Sequence, residues 1–323
     1  MAGLSRTLAV GLLLIAANSV ARAQESTLRP FNFAVIGDTP YYPHEEVYLK
    51  GLLKSLAREP LEFVVHVGDI KSGSSRCDDA LYASRRELFA SSPRPFVLVP
   101  GDNDWSDCDR SAGGGYDPVE RLAVLRRVFF QGGFSLGMQV MQVERQSADP
   151  AHADYAEHAR WTVGTVVFLT LNIIGGTNRY GSGEAAAREA RERTRAVSAW
   201  LRAGFERARD LEAPGIVIFF HGDPHLEIAP GNPRRRGYEA FLTEVATEAR
   251  RFGKPVLLIH GDRHLYKTDQ PWKEGALALP NVTRVSTFGS PYVNWVRVRV
   301  DSSGKDLFRI EPEYGSLDPS PLQ

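Results

Sequence analysis

Two cysteines in 323 residues allow one disulfide at most, and neither sign of charge dominates the chain. Lys plus Arg and Asp plus Glu number 39 each, so no net field draws the molecule toward nucleic acid or an anionic lipid surface. Long apolar runs are absent except near the start, where Leu8 to Ala17 follows Arg6 and precedes Ala21-Arg22-Ala23. A positive flank, a short apolar core and a small-x-small cleavage pattern make an export signal, and the core falls short of the roughly 20 residues a membrane span needs. The expectation is therefore a signal peptide over residues 1–23 and an exported mature chain, periplasmic or secreted, with no membrane span. Downstream of such a signal an even cysteine count predicts a disulfide between Cys77 and Cys108. There is no internal repeat, low-complexity tract or linker. One domain over residues 24–311 and a loosely held Pro-rich tail over 312–323 account for the remainder.

What is present is an alternation of strand and helix signals. Leu49, Leu52, Leu53 and Leu56 form a helical stripe ended by Pro60, and the Phe63–Val67 strand follows. Asp79 to Ala90 is the next helix, and Asp117-Pro118 opens another through Phe130. Trp161 to Asn172 predicts a strand pair or one long strand. Gly183 to Arg209 predicts a long helix whose face carries Val197, Leu201, Gly204 and Ala208, and Tyr238 to Phe252 a second. Val282–Ser286 and Trp295–Val300 alternate as half-exposed antiparallel strands would. The sum is an α/β domain of two packed mixed sheets flanked by helices. The Arg234-Arg235-Arg236 run reads as a solvated loop cluster that could border an anionic substrate.

Five apolar runs end in short polar segments: Gly37-Asp38, Gly68-Asp69, Gly101-Asp102-Asn103-Asp104, His221-Gly222-Asp223, and His260-Gly261-Asp262-Arg263-His264. A single Gly-Asp is an ordinary turn. Repeated at the carboxyl ends of strands, where an α/β protein places its site, these segments gather Asp38, Asp69, Asp102, Asp262, His221 and His264. Four converging carboxylates repel one another unless cations join them. Two divalent ions neutralise four carboxylates in formal charge, and two ions about 3.5–4 Å apart clamp a phosphate for in-line attack.

The ordered motifs resemble those of the calcineurin-like metallophosphoesterase superfamily, which includes purple acid phosphatases and many phosphodiesterases, over residues from about 32 to 300. The resemblance implies a four-layer α/β/β/α sandwich and a two-metal site that hydrolyses a small phosphate mono- or diester with a metal-bound hydroxide. Carried over, Asp38 and His264 look like ligands of the first ion, Asp69 bridges, and Asp102, His221 and Asp262 look like ligands of the second. Three departures stand out. Pro40 lies where many members have a His ligand, which only Tyr41 or Tyr42 could replace, as a phenolate. Asp102 and Asp262 replace a usual Asn and His, and this added anionic oxygen favours Mn, Mg or Fe over Zn. Asn103 holds the position of a histidine resembling a leaving-group acid, and asparagine hydrogen-bonds a phosphate oxygen without supplying a proton. His225 is near enough in sequence to provide one. A non-catalytic metal- or phosphate-binding relative is the alternative reading. His66 reads as a packed core histidine, His260 as a strand end behind the site, Asp104 as a residue orienting a ligand, and Trp105 as packing.

Overall fold

The computed structural model describes residues 29–272 and 278–315; the expected signal peptide and all but the first four residues of the expected tail lie outside that range. Two sheets form the centre. The first has strand order β12-β11-β1-β2-β3, and the second β4-β5-β6-β7-β8-β10-β9. In the first, β1 (Phe31–Ile36), β2 (Leu61–His66) and β3 (Phe96–Leu98) run parallel, while β11 (Trp295–Val300) and β12 (Phe308–Glu313) add antiparallel edges. In the second, β6 (Val166–Thr170), β7 (Ile216–Phe219), β8 (Val256–His260) and β10 (Val282–Ser286) are mutually parallel. The antiparallel strands β4 (Glu144–Arg145), β5 (Ala159–Val163) and β9 (Lys267–Asp269) complete it.

Helices α1 (Pro43–Leu56), α2 (Asp79–Ala90) and α3 (Pro118–Phe129) cover the first sheet, and α5 (Glu184–Asp210) and α6 (Glu239–Phe252) the second. The four-layer α/β/β/α sandwich expected from the sequence is observed. Its middle layer is aromatic: Phe33, Phe63, Trp161, Phe168 and Phe219 are buried together, with Phe33 stacked on Phe63 at 5.0 Å. Strands buried on both faces have no polar side to show, which is why β7 and β8 read as continuous apolar runs. The α3 start follows its sequence signal, with the Asp117 side chain accepting from the Glu120 N–H next to Pro118.

Three expectations are corrected. Segment 282–286 is not a purely antiparallel strand: β10 runs parallel to β8 and antiparallel only to β9, whereas β11 is antiparallel to both β1 and β12. Nor is β10 half-exposed. Arg284, which supplied the polar beat of its alternation, is buried and paired with Asp269 and Glu227. Pro312 and Glu313, placed in a loose tail, belong to β12, where they pair with Val296 and Trp295. Arg235, in the supposedly solvated cluster, is buried with its guanidinium donating to the Ile228 carbonyl.

The register sets the site. Ile36, His66 and Leu98 stand side by side at the ends of β1, β2 and β3, and Phe219 stands beside Ile259 in β7 and β8. The five polar segments therefore leave the two sheets at one edge.

Candidate metal centre

Close backbone approach, more than turn formation, is what the glycines of these segments permit. A Cβ on Gly68 would lie 2.7 Å from His221 Nδ1 and 2.8 Å from the Gly101 N, and one on Gly101 would lie 2.3 Å from the Asp69 N. The left-handed conformation falls mainly on the ligand candidates themselves: Asp38, Asp69, Asp262 and His264 have φ of 52°, 59°, 71° and 60°. Non-glycine residues hold such angles only when their surroundings over-determine them, and they cluster at functional sites.

Here the surroundings are hydrogen bonds. The buried Asp104 accepts from the backbone N–H groups of Asp69 (3.1 Å), Ile70 (2.8 Å) and Gly101 (2.7 Å), tying the β2 and β3 loops together. Its carboxyl is raised from the usual range by burial, which those N–H groups oppose. The Asp262 N–H reaches both oxygens of Asp38 at 3.1 Å, joining the first sheet to the second. The Asp223 N–H donates to Asp262 Oδ2 (2.8 Å), and the Gly175 N–H to Asp102 Oδ1 (3.0 Å). The buried His66 donates its Nε2–H to the Thr39 carbonyl (2.7 Å), and burial pushes it down to about 4, so it is a neutral prop of the β1 loop. His260, likewise at about 4, stacks on Phe220 behind the site.

The six candidate ligands converge. Oxygens of Asp38 and Asp69 and a nitrogen of His221 lie within 4.8 Å of one another, as do those of Asp102, His221 and Asp262. His264 Nε2 is 3.4 Å from Asp38 Oδ1. Both histidines are oriented alike: Nδ1 of His221 faces the Val67 carbonyl (2.8 Å), and Nδ1 of His264 the Ser290 carbonyl (2.8 Å). A carbonyl only accepts, so each Nδ1 carries the hydrogen and each Nε2 turns a lone pair into the cluster, the arrangement that fixes a metal-binding imidazole. His221 Nε2 is buried among carboxylates alone, 2.9 Å from Asp102 Oδ1 and 3.4 Å from Asp69 Oδ1.

Two acceptors at 2.9 Å need a cation between them. Without metal a proton serves: burial would push His221 down, but Asp69, Asp102 and Asp38 outweigh it and hold the imidazole well above its ordinary range. Burial and neighbouring carboxylates raise Asp69, and burial first of all raises Asp262 to about 6. The donor set is four carboxylates and two neutral imidazoles facing inward, which fits two hard or borderline cations.

Of the two candidate catalytic residues, Asn103 is inside the cluster. Its Nδ2 donates to Asp69 Oδ2 (2.6 Å) and its backbone N–H to Asp69 Oδ1 (3.0 Å). His225 stands on the rim, with Nδ1 3.1 Å from Asp223 Oδ2 and its backbone N–H on Asp223 Oδ1 (3.0 Å). Trp105 is buried under the guanidinium groups of Arg179 and Arg193 and serves as packing. The segment above Asp102 runs through α4 (Gly175–Asn178), a single turn in which Gly176, Thr177 and Asn178, followed by Arg179, all have φ between 53° and 64°.

Three contributors went unread in the sequence. Asp223 orients both His225 and Asp262, and its place two residues before His225 was the available signal. Gly175 presses its N–H on Asp102, where a Cβ would stand 2.4 Å from Oδ1. Glu45, buried in the first turn of α1, accepts from the Tyr41 N–H (2.7 Å) and the Ser290 hydroxyl (2.6 Å); nothing in its sequence setting marks it.

Among solved structures, the chain is similar to a dimetal phosphatase from Danio rerio, with TM-score 0.54 and 14% identity over 90% of this chain and 100% of that one. The fold is that of the calcineurin-like metallophosphoesterases. Looser likenesses join it to a purple acid phosphatase from yellow lupin (Lupinus luteus) seeds (TM-score 0.47, 12% identity, 88% of this chain and 54% of that one) and to the phosphopantetheinyl hydrolase of Mycobacterium tuberculosis (0.38, 14%, 81% and 93%). No protein-family model and no curated protein matches the chain. A calcineurin-like fold whose strand ends carry an acidic cluster around two inward-facing imidazoles is a scaffold with a candidate metal centre.

Proposed function

We propose that this chain is an exported, metal-dependent phosphoesterase that hydrolyses a small phosphate mono- or diester over two metal ions. The observation that carries the reading is His221 Nε2, fully buried and aimed into the carboxylates, 2.9 Å from Asp102 Oδ1 and 3.4 Å from Asp69 Oδ1, with its other ring nitrogen on the Val67 carbonyl. Asp38 and His264 would hold the first ion, Asp102, His221 and Asp262 the second, and Asp69 would face both. Bound there, two ions supply a water of lowered pKa and a clamp on the phosphate oxygens. The excess of carboxylate over imidazole favours Mn or Fe over Zn.

The chain's own residues do the rest. Asp104 and Glu45 hold the ligand loops. Asn103 Nδ2, now on Asp69, is placed to donate to a phosphate oxygen. Asp223 holds His225 through Nδ1, leaving Nε2 as the nitrogen from which a leaving group would take a proton. Export agrees with the leader-like residues 1–23 and with the Cys77–Cys108 disulfide, a bond that persists in oxidising compartments.

The alternative, a non-catalytic metal- or phosphate-binding relative, draws on Asn103, an amide tied to Asp69 where an acid is usual. Hydrolysis of p-nitrophenyl phosphate and its bis-ester, measured with Mn, Fe, Mg and Zn, separates the two. Turnover that depends on metal and on Asp69 supports the enzyme; background rates with every ion leave a binding protein.

A further inference from the structure

The two rims of the cluster differ in chemistry, and the sheet order puts them on opposite sides. Strands β7 and β10 flank β8, whose following loop carries Asp262 and His264. On the β7 side the rim is charged. Asp223 holds His225 at 3.1 Å, and the Arg263 guanidinium lies 3.2 Å from Glu227 and 3.5 Å from Asp223. Tyr180, the exposed ring on that side, lies under the guanidinium of Arg236 at 5.6 Å.

On the β10 side the rim is apolar. Tyr42, Leu265, Tyr292 and Tyr314 are 50%, 65%, 61% and 72% exposed. Single exposed apolar residues are ordinary, whereas a connected group marks a binding surface. One turn connects these. Gly289 is pressed on His264, where a Cβ would stand 2.8 Å from the ring, and its carbonyl accepts from the Tyr292 N–H at 3.0 Å. The Ser290 hydroxyl donates to Glu45 in the first turn of α1, which Tyr42 precedes. Phe288 stacks on Tyr266 at 5.3 Å and meets Tyr314 edge-on at 5.8 Å. Leu265 sits in the chain between His264 and Tyr266. The turn whose Ser290 carbonyl orients His264 therefore also carries the rings beside it.

We propose that this ledge receives an aromatic ester group that stays on phosphorus, so that the substrate is a phosphodiester with one aromatic ester. This rests on the phosphoesterase reading above and deepens it. A departing alcohol takes its proton on the His225 side, which leaves the β10 side for the second ester group. A monoester has no second group and would leave the ledge empty. In the reaction a water keeps its oxygen and one hydrogen on phosphorus. The bond to the first alcohol breaks, that alcohol leaves with the other proton, and the aromatic monoester is released. Three of the four exposed side chains are tyrosines, whose faces attract an offset ring beyond what buried area alone gives.

The test uses the whole protein loaded with Mn. Methyl p-nitrophenyl phosphate and phenyl p-nitrophenyl phosphate share a leaving group and differ only in the group retained. The wild type should favour the phenyl ester on the order of tenfold in kcat/KM. Calorimetry should show a like preference for phenylphosphonate over methylphosphonate, whose P–C bonds are not hydrolysed. Both preferences should fall about tenfold in the double variant Leu265→Ser, Tyr292→Ser, and persist in Phe134→Ser, an exposed ring outside the ledge. Equal rates for the two diesters, a preference that survives the double variant, or turnover confined to p-nitrophenyl phosphate overturns the assignment and leaves the phosphoesterase reading standing. A phenylphosphonate preference without turnover of any ester supports the ledge and overturns the phosphoesterase reading. Binding to neutral phosphatidylcholine vesicles without any phenyl preference overturns the assignment in favour of a membrane surface.

Discussion

His221 Nε2 faces Asp102 Oδ1 from 2.9 Å, because its other ring nitrogen is committed to the Val67 carbonyl. Nothing in the apolar run from Ile216 to Phe220 asks for that arrangement, and nothing in packing rewards it. Only a proton or a metal ion between the two atoms makes it favourable.

Metal content follows directly. The isolated protein should carry close to two ions, richer in Mn or Fe than in Zn by elemental analysis. Chelation should lower the melting temperature; each site filled at a free ion concentration a hundredfold above its Kd contributes about 2.7 kcal/mol. Because His221 must give up its proton to bind, affinity should fall as pH falls, with proton release on loading. A protein that is metal-free and cannot be reconstituted would remove the basis of the functional reading.

Asp69→Asn should nearly abolish turnover, since in the proposed site this carboxylate would face both ions, and it also holds Asn103 through two hydrogen bonds. Asn103→Ala should cost far less, about 1–3 kcal/mol of transition-state stabilisation, the size of one hydrogen bond to a charged group. Steady-state kinetics on p-nitrophenyl phosphate reads both. Equal losses would show that Asn103 does more than position phosphate.

The strand-end motifs, the long helices and the layer order were legible because each is a local pattern. Gly68-Asp69 and Gly101-Asp102 mark loops, and Val197, Leu201 and Ala208 mark a face. Strand direction and exposure were not: β10 alternates as a half-exposed antiparallel strand would, yet it runs parallel to β8 and its Arg284 is buried against Asp269 and Glu227. Glu45 was invisible for the same reason, since its importance depends on Ser290 arriving from the other end of the chain.

Acid should unfold the protein through buried groups remote from the metal centre. Glu157 is buried, and although burial alone would raise it, Arg126 and Asn172 hold it down to about 2. His158 is pushed down to about 4 by burial. In each case the unfolded chain binds the proton more readily, so stability is present above the unfolded pKa and lost as pH falls through the folded one. The losses run from about pH 6.5 to 4 for the histidine and from about 4.5 to 2 for the glutamate, each at most on the order of 3 kcal/mol. Denaturant titrations of the chelated protein should show the slope, and Glu157→Gln should remove its lower limb. A pH-independent midpoint over this range would contradict the assignment.

The Cys77–Cys108 bond closes a separation of 31 residues between the loops that follow Asp69 and Asp102. The chain-entropy relation gives roughly 3–4 kcal/mol for such a loop. Cys77→Ser with Cys108→Ser should lower the unfolding free energy by that order and loosen metal binding. Two titratable thiols in the denatured, non-reduced wild type would refute the bridge.

The remaining expectation concerns the leaving group. With an amide at position 103, the proton for a departing alkoxide must come from elsewhere, and the Asp223–His225 pair is the nearest held imidazole, since Asp223 also donates its N–H to Asp262. A p-nitrophenolate leaves without help, whereas an alkoxide does not, so the two substrate types report the proton donor separately. His225→Ala should leave hydrolysis of the aryl ester within a few-fold of wild type. On an alkyl phosphate it should lose roughly 10²–10⁴, the usual contribution of a positioned general acid. The dependence of rate on leaving-group pKa should steepen correspondingly. Asp223→Asn should fall between, because the amide keeps the ring in position and removes only the negative charge beside it. If His225→Ala slows aryl and alkyl esters by the same factor, His225 acts by shaping the rim, and water or the substrate itself supplies the proton.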